Sequence, residues 1–143
     1  MVSVQQRASF ASIAPQGNIL VLGSPSGGAP EAVQAILRRR GHSVELAPAD
    51  INAISHIDKY DLLVLELDTH DAGAVRLCAR LRTMTFVPVL VVVPETARNQ
   101  GIQALELGAD SFIVAPFDRR ELVARSEALV RRYRHMFLPM LHG

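Results

Sequence analysis

The chain holds one cysteine, Cys78, so no internal disulfide can staple it; that fits a reducing compartment. No apolar run approaches the roughly 18 residues a membrane-spanning helix needs. The opening stretch, MVSVQQRASFASIAPQG, lacks the continuous apolar core of a secretory signal. Neither sign of charge is in excess. Fifteen Lys and Arg against fourteen Asp and Glu leave +1, which gives no bulk argument for nucleic acid or an anionic membrane. Internal repeats and low-complexity blocks are absent. The histidines, His42, His56, His70, His135 and His142, are scattered without ligand spacing, and surface or loop positions are expected for them. What remains is ordinary: 143 residues, 49% apolar and 20% charged, enough for one soluble domain with a real core. A cytoplasmic location is expected.

Periodicity divides the chain finely. NILVLG (18–23) is a short branched apolar run stopped by GSPSGGAP, hence a strand and a loop. PEAVQAILRRRG places Val33, Ile36, Leu37 and Arg40 at helical spacing. Pro30 and Glu31 suit its first turn, three arginines its last, and Gly41 its cap. HSVELA alternates as a second strand. DINAISHI predicts a short helix capped by Asp50. DLLVLEL is apolar on both faces, as a central parallel strand must be. GAVRLCARLRTM returns to helical spacing through Ala74, Cys78 and Leu81, and Cys78 is expected to pack on the sheet. VPVLVVV is a further buried strand closed by Pro94. ARNQGIQALELG is a helix ended by Gly108, and SFIVA a strand followed by Pro116. Asp118 with Glu121 three residues on predicts a capping box for the helix DRRELVARSEALVRRYRH.

Five strands therefore alternate with five helices. That pattern implies right-handed crossovers and a parallel sheet covered on both faces. In doubly wound sheets the site lies at the carboxyl ends of the strands. The positions to watch are Gly23 and Ser24, Glu66 to Asp68, Val93 and Pro94, and Ala115 and Pro116.

YDLLVLEL, LCARLR, VPVLVVV, ALELGADSFIVAPFDRRELVAR and ALVRR together resemble the receiver domain of bacterial response regulators, over residues 18 to 134. Leu105 to Arg132 is the most specific stretch, and it most resembles receivers that carry a winged-helix DNA-binding domain. The resemblance implies a three-layer α/β fold with strand order 2-1-3-4-5. It also implies phosphoryl transfer to an aspartate ending the third strand. Mg²⁺ held by an acidic pair after the first strand, a hydroxyl ending the fourth and a lysine ending the fifth would assist.

Each of those positions departs from the pattern here. The acidic pair aligns with Gly23 and Ser24, the acceptor with Glu66, the hydroxyl with Val93 and the lysine with Ala115. The aromatic that responds to phosphorylation aligns with Phe112, without a hydroxyl. Glu66 is a methylene too long for the acceptor role. It is either a retained strand-end acid or an imitation of a phosphorylated aspartate. Glu66, Asp68 and Asp71 form an acidic loop with poor expected Mg²⁺ affinity. The expectation is a degenerate, non-enzymatic, phosphorylation-independent receiver without cofactor or metal. It would act through a signalling partner or an effector domain, with control of transcription among the outcomes.

By the same resemblance, Glu106, Asp110, Arg119, Arg120 and Arg125 mark a symmetric homodimer face on the fourth helix, fifth strand and fifth helix, with Asp110 and Arg125 as its leading pair. Ser111 replaces a second acid there. Direct nucleic-acid or membrane contact by this domain is not expected. The alternative is a flavodoxin-like domain that binds a small anion or nucleotide through Gly23, Ser24 and the Gly27–Gly28 turn. Residues 1–17 are expected to be a tail, 18–134 the domain, and 135–143 a helix extension or linker. Tyr133, Met136, Phe137, Leu138, Met140 and Leu141 make that end unusually apolar.

Overall fold

The computed structural model describes residues 16–23, 30–67 and 72–136, apart from the side chains of residues 72 and 74. Its strands are β1 (Asn18–Gly23), β2 (Ser43–Pro48), β3 (Leu62–Glu66), β4 (Val89–Pro94) and β5 (Ser111–Ala115). They pair in parallel in the order β2-β1-β3-β4-β5. The helices are α1 (Pro30–Arg39), α2 (Ala72–Met84), α3 (Arg98–Glu106) and α4 (Arg119–Met136).

Strand sequence and strand position agree. LLVLE of β3 is buried at all five positions, because β1 and β4 flank it and helices cover both its faces. The edge strand β2 buries only Val44 fully and leaves Leu46 exposed, so its alternation is weaker than HSVELA suggested. Alternate side chains along each strand feed two separate cores. One gathers Leu63, Leu65, Val91 and Val93 with Cys78 and Leu81 of α2 and Ala104 of α3. The other gathers Ile19, Val21, Val64 and Ile113 with Val33 and Leu37 of α1 and Leu122, Leu129 and Val130 of α4. Cys78 is fully buried, as expected, and burial pushes its thiol pKa up to about 11.

Two helices stop as the glycines imply. At α1 the His42 amide bonds to the Leu37 carbonyl (3.3 Å) and the Gly41 amide to that of Arg38 (2.9 Å). At α3 Ala109 bonds back to Ala104 (2.8 Å) and Gly108 to Leu105 (3.1 Å). Gly41 and Gly108 have φ of +95° and +118°, the left-handed turn this six-residue cap requires.

Several expectations are corrected. The short helix at DINAISHI is two 3₁₀ turns, Ile51–Ala53 and Ile57–Lys59. Asp50 does cap the first, accepting from the Asn52 amide at 2.9 Å, but three residues cannot propagate an α-helix. Asp118 caps α4 through the Arg120 amide (2.7 Å), whereas Glu121 turns forward to Arg125 (3.3 Å), so only one arm of the box is formed there. Arg40 lies beyond the end of α1 and reaches Glu127 instead of continuing the helical face. Tyr133 belongs to the core and not to an apolar tail. Residues 137–143, with Phe137, Leu138, Met140 and Leu141, lie outside the described residues, as do residues 1–15.

His42 is the largest correction. Its side chain is 0% exposed, held between the start of β2 and α4. The Gly17 amide donates to Nδ1 at 2.9 Å, so that nitrogen is an acceptor and the neutral ring carries its hydrogen on Nε2. Nε2 faces Glu127 Oε2 at 3.0 Å. Arg40 completes the cluster with Nε and Nη2 on the two Glu127 oxygens, at 2.9 and 3.0 Å. A second clamp lies close by along the chain. Asp61 accepts from the Asn18 amide (2.8 Å) and from Arg134 (3.0 Å), which also holds the Gln16 carbonyl (2.6 Å). Both clamps tie α4 to the amino ends of the strands, away from the carboxyl ends that form the candidate site.

Candidate functional site

Register alone assembles the carboxyl-end positions. Gly23 is paired with Glu66 across β1 and β3, and Glu66 with Val92 across β3 and β4. Val93 pairs with Val114, and Pro94 with Ala115, across β4 and β5. Gly23, Glu66, Val93 and Ala115 therefore do meet at one edge of the sheet. Ser24, Asp68, His70, Asp71 and the Gly27–Gly28 turn lie outside the described residues.

The chemistry of that edge is sparse. Glu66 is 3% exposed, a single enclosed carboxylate at the end of an otherwise apolar strand. Val93 is fully enclosed in the α2–α3 core, and Ala115 packs against the α1–α4 core. A Cβ on Gly23 would stand 2.8 Å from Cγ and 3.0 Å from Cβ of Pro30, the first residue of α1. A rigid proline ring thus fills the space an acidic side chain at residue 23 would need.

Mg²⁺ at this edge, which the resemblance implies, requires several oxygen ligands. Glu66 is the one described carboxylate among the four positions. Among the described residues no three or more His, Cys, Asp or Glu side chains gather as a metal site. The described residues do not fit the ion, and the crowding of Gly23 likewise narrows the room for a small anion.

The second candidate surface joins α3, β5 and α4. A groove of about 540 Å³ runs along it, lined by Arg98, Leu105, Asp110, Phe112, Glu121 and Arg125 among others. The expected partners Asp110 and Arg125 share this groove, yet each has contacts within its own chain. Asp110 accepts from the Val89 amide (2.7 Å) and from Arg82 (3.4 Å), closing the start of β4 against β5. Arg82 also donates to the Val87 carbonyl. Arg125 pairs with Glu121 and donates to Ser111 Oγ at 3.1 Å. Glu106 at the end of α3 and Arg119 and Arg120 at the start of α4 are exposed. So are Ile102, Leu105 and Leu107 on and just after α3.

Sequence reasoning missed His42, Glu127, Asp61 and Arg134. The only signal for them was an ionisable residue type at helix and turn positions, which does not reveal a partner 25 to 118 residues away.

A model of the response regulator receiver domain matches residues 28–127. The chain belongs to that family. A transcriptional regulatory protein, CseB of Streptomyces coelicolor, is 33% identical over 107 residues, 73% of this chain and 46% of that protein. The response regulator ArlR of Staphylococcus aureus is 34% identical over 80 residues, 56% of this chain and 36% of ArlR. The chain thus spans less than half the length of these relatives. A putative response regulator from Chloroflexus aurantiacus shares the fold, with a TM-score of 0.68 at 24% identity over 82% of this chain and 99% of that one. Full-length FixJ from B. japonicum does so with a TM-score of 0.67 at 20% identity, over 82% and 59%. The protein is a receiver domain of two-component signalling, and no described helix is long and apolar enough to cross a membrane.

Proposed function

We propose that this receiver signals without aspartyl phosphorylation, by protein–protein contact. The carrying observation is the crowded carboxyl edge. Pro30 occupies the space beside Gly23, and Val93 and Ala115 offer no hydroxyl or ammonium to a phosphoryl group. Glu66 is then a retained strand-end acid. Among the described residues, Glu66 is the one ionisable group at that edge, and we read the domain as non-enzymatic.

Output would run through the α3–β5–α4 groove, where a second copy of the chain supplies the partner. Exposed Ile102, Leu105 and Leu107 give apolar surface on and just after α3, Leu105, Asp110 and Arg125 line the groove, and exposed Glu106, Arg119 and Arg120 add both signs of charge on the same helices. Such mixed faces suit a self-complementary two-fold contact. The equilibrium between states would be biased by that contact or by a signalling partner. The name of one relative, a transcriptional regulatory protein, suggests control of transcription; the receiver itself would act through an effector domain, without nucleic-acid or membrane contact of its own.

Amide NMR tests the phosphorylation claim. Mg²⁺ with a small phosphoryl donor, or with beryllofluoride, is expected to leave the spectrum unchanged. Saturable shifts around Glu66, or a donor-dependent change in solution mass, would refute it.

A further inference from the structure

β5 presents Phe112 to α3, and the ring lies against Gly101. A Cβ on Gly101 would stand 2.5 Å from Cδ2, 2.8 Å from Cε2 and 2.9 Å from Cγ of that ring. Three ring carbons at such distances mean that the ring rests on the bare Cα, leaving no room for a side chain between helix and strand. Gly101 is buried inside α3, where glycine is a poorer helix former than alanine. The ring therefore excludes the residue that helix propensity would favour.

Phe112 is only half-buried, and it also lines the groove of about 540 Å³ with Leu105, Val114, Arg98 and Arg125. A ring denied its place on Gly101 has that groove to turn into. The groove belongs to the proposed dimer face, so the consequence for assembly rests on that reading.

We propose that Gly101 is a positioning residue whose missing side chain seats the Phe112 ring beneath the groove, and that the seated ring leaves the groove open to a second copy of the chain. A side chain at residue 101 turns the ring outward and fills the groove.

The test is a melting-temperature cycle with Gly101→Ala, Phe112→Ala and the double variant, joined to sedimentation equilibrium. With the ring present, Gly101→Ala is expected to lower the melting temperature. With the ring removed, the same substitution is expected to raise it, because only the helix preference remains. Equal destabilisation in both backgrounds overturns the seat. For assembly, Gly101→Ala is expected to weaken self-association at least tenfold, while aromatic NMR shows the Phe112 ring newly exposed to solvent. A displaced ring with association held within twofold overturns the second half of the proposal. Arg125→Glu serves as the reference. If it leaves association unchanged, or the wild type does not associate, the dimer reading falls and takes that second half with it. The sign reversal in melting temperature still decides the seat.

Discussion

Glu127→Gln isolates the charge of the buried cluster while keeping its shape. The carboxylate accepts three hydrogen bonds, two from Arg40 and one from His42. A glutamine offers one oxygen. Placed at the Oε2 position it can still take Arg40 Nε and His42 Nε2, but its amide then meets Arg40 Nη2. Charge-assisted bonds contribute about 1.5–3 kcal/mol and neutral ones about 0.5–1.5 kcal/mol. Arg40 is 49% exposed at its side chain and can turn to water, so its share is discounted. His42, fully enclosed, cannot. The expected loss is about 2 kcal/mol, or about 6 °C in melting temperature for a domain of this size.

The pH dependence follows from the same contacts. Burial would raise the Glu127 pKa, but hydrogen bonds from Arg40 and His42, with the Arg40 charge, outweigh it and hold it below the usual carboxylate range. A folded-state pKa below the unfolded value of about 4.3 stabilises the fold above that pH. The contribution fades as pH falls through the folded value. Urea unfolding of both proteins from pH 7 to pH 3 should therefore show a gap of about 2 kcal/mol at neutral pH that narrows below about pH 4. A gap under about 0.5 kcal/mol at pH 7, within the range of ordinary surface changes, would refute the reasoning. So would a gap unchanged down to pH 3.

Other outcomes are checked more simply. Gly108→Ala puts a Cβ against Arg82 Cγ at a φ of +118°, and it should cost more than about 1 kcal/mol by chemical denaturation. Cys78, fully buried with its pKa raised to about 11, should react with a thiol reagent only after urea unfolding; prompt labelling of the native protein would contradict that. Arg125→Glu should weaken self-association at least several-fold by sedimentation and leave the melting temperature within about 2 °C, because its bonds to Glu121 and Ser111 are exposed. Tyr60, buried and bonded to Glu45 at 2.5 Å, should ionise at about 12 in a spectrophotometric titration.

Much of the molecule was legible along the chain. Unbroken apolar runs at Leu62 to Leu65 and Val89 to Val93 required strands buried on both faces, and alternation with helical segments required a parallel sheet. Gly41 and Gly108 marked two helix ends because only the left-handed turn closes those carbonyls without strain. These are local facts, set by backbone sterics and by the period of burial. The residue types at the carboxyl edge, Gly23, Glu66, Val93 and Ala115, were equally plain, since a residue type is read directly.

Contacts between distant segments decided the rest. His42 read as a loop histidine because nothing near it in sequence shows that Glu127 and Gly17 close over it. Gly23 read as a mere absence of acid, until Pro30 proved to occupy the space. The sequence resemblance pairs Asp110 with Arg125 between copies, and only the folded chain shows the bonds each already makes. A side chain's period states which way it faces, and packing alone determines what it meets there.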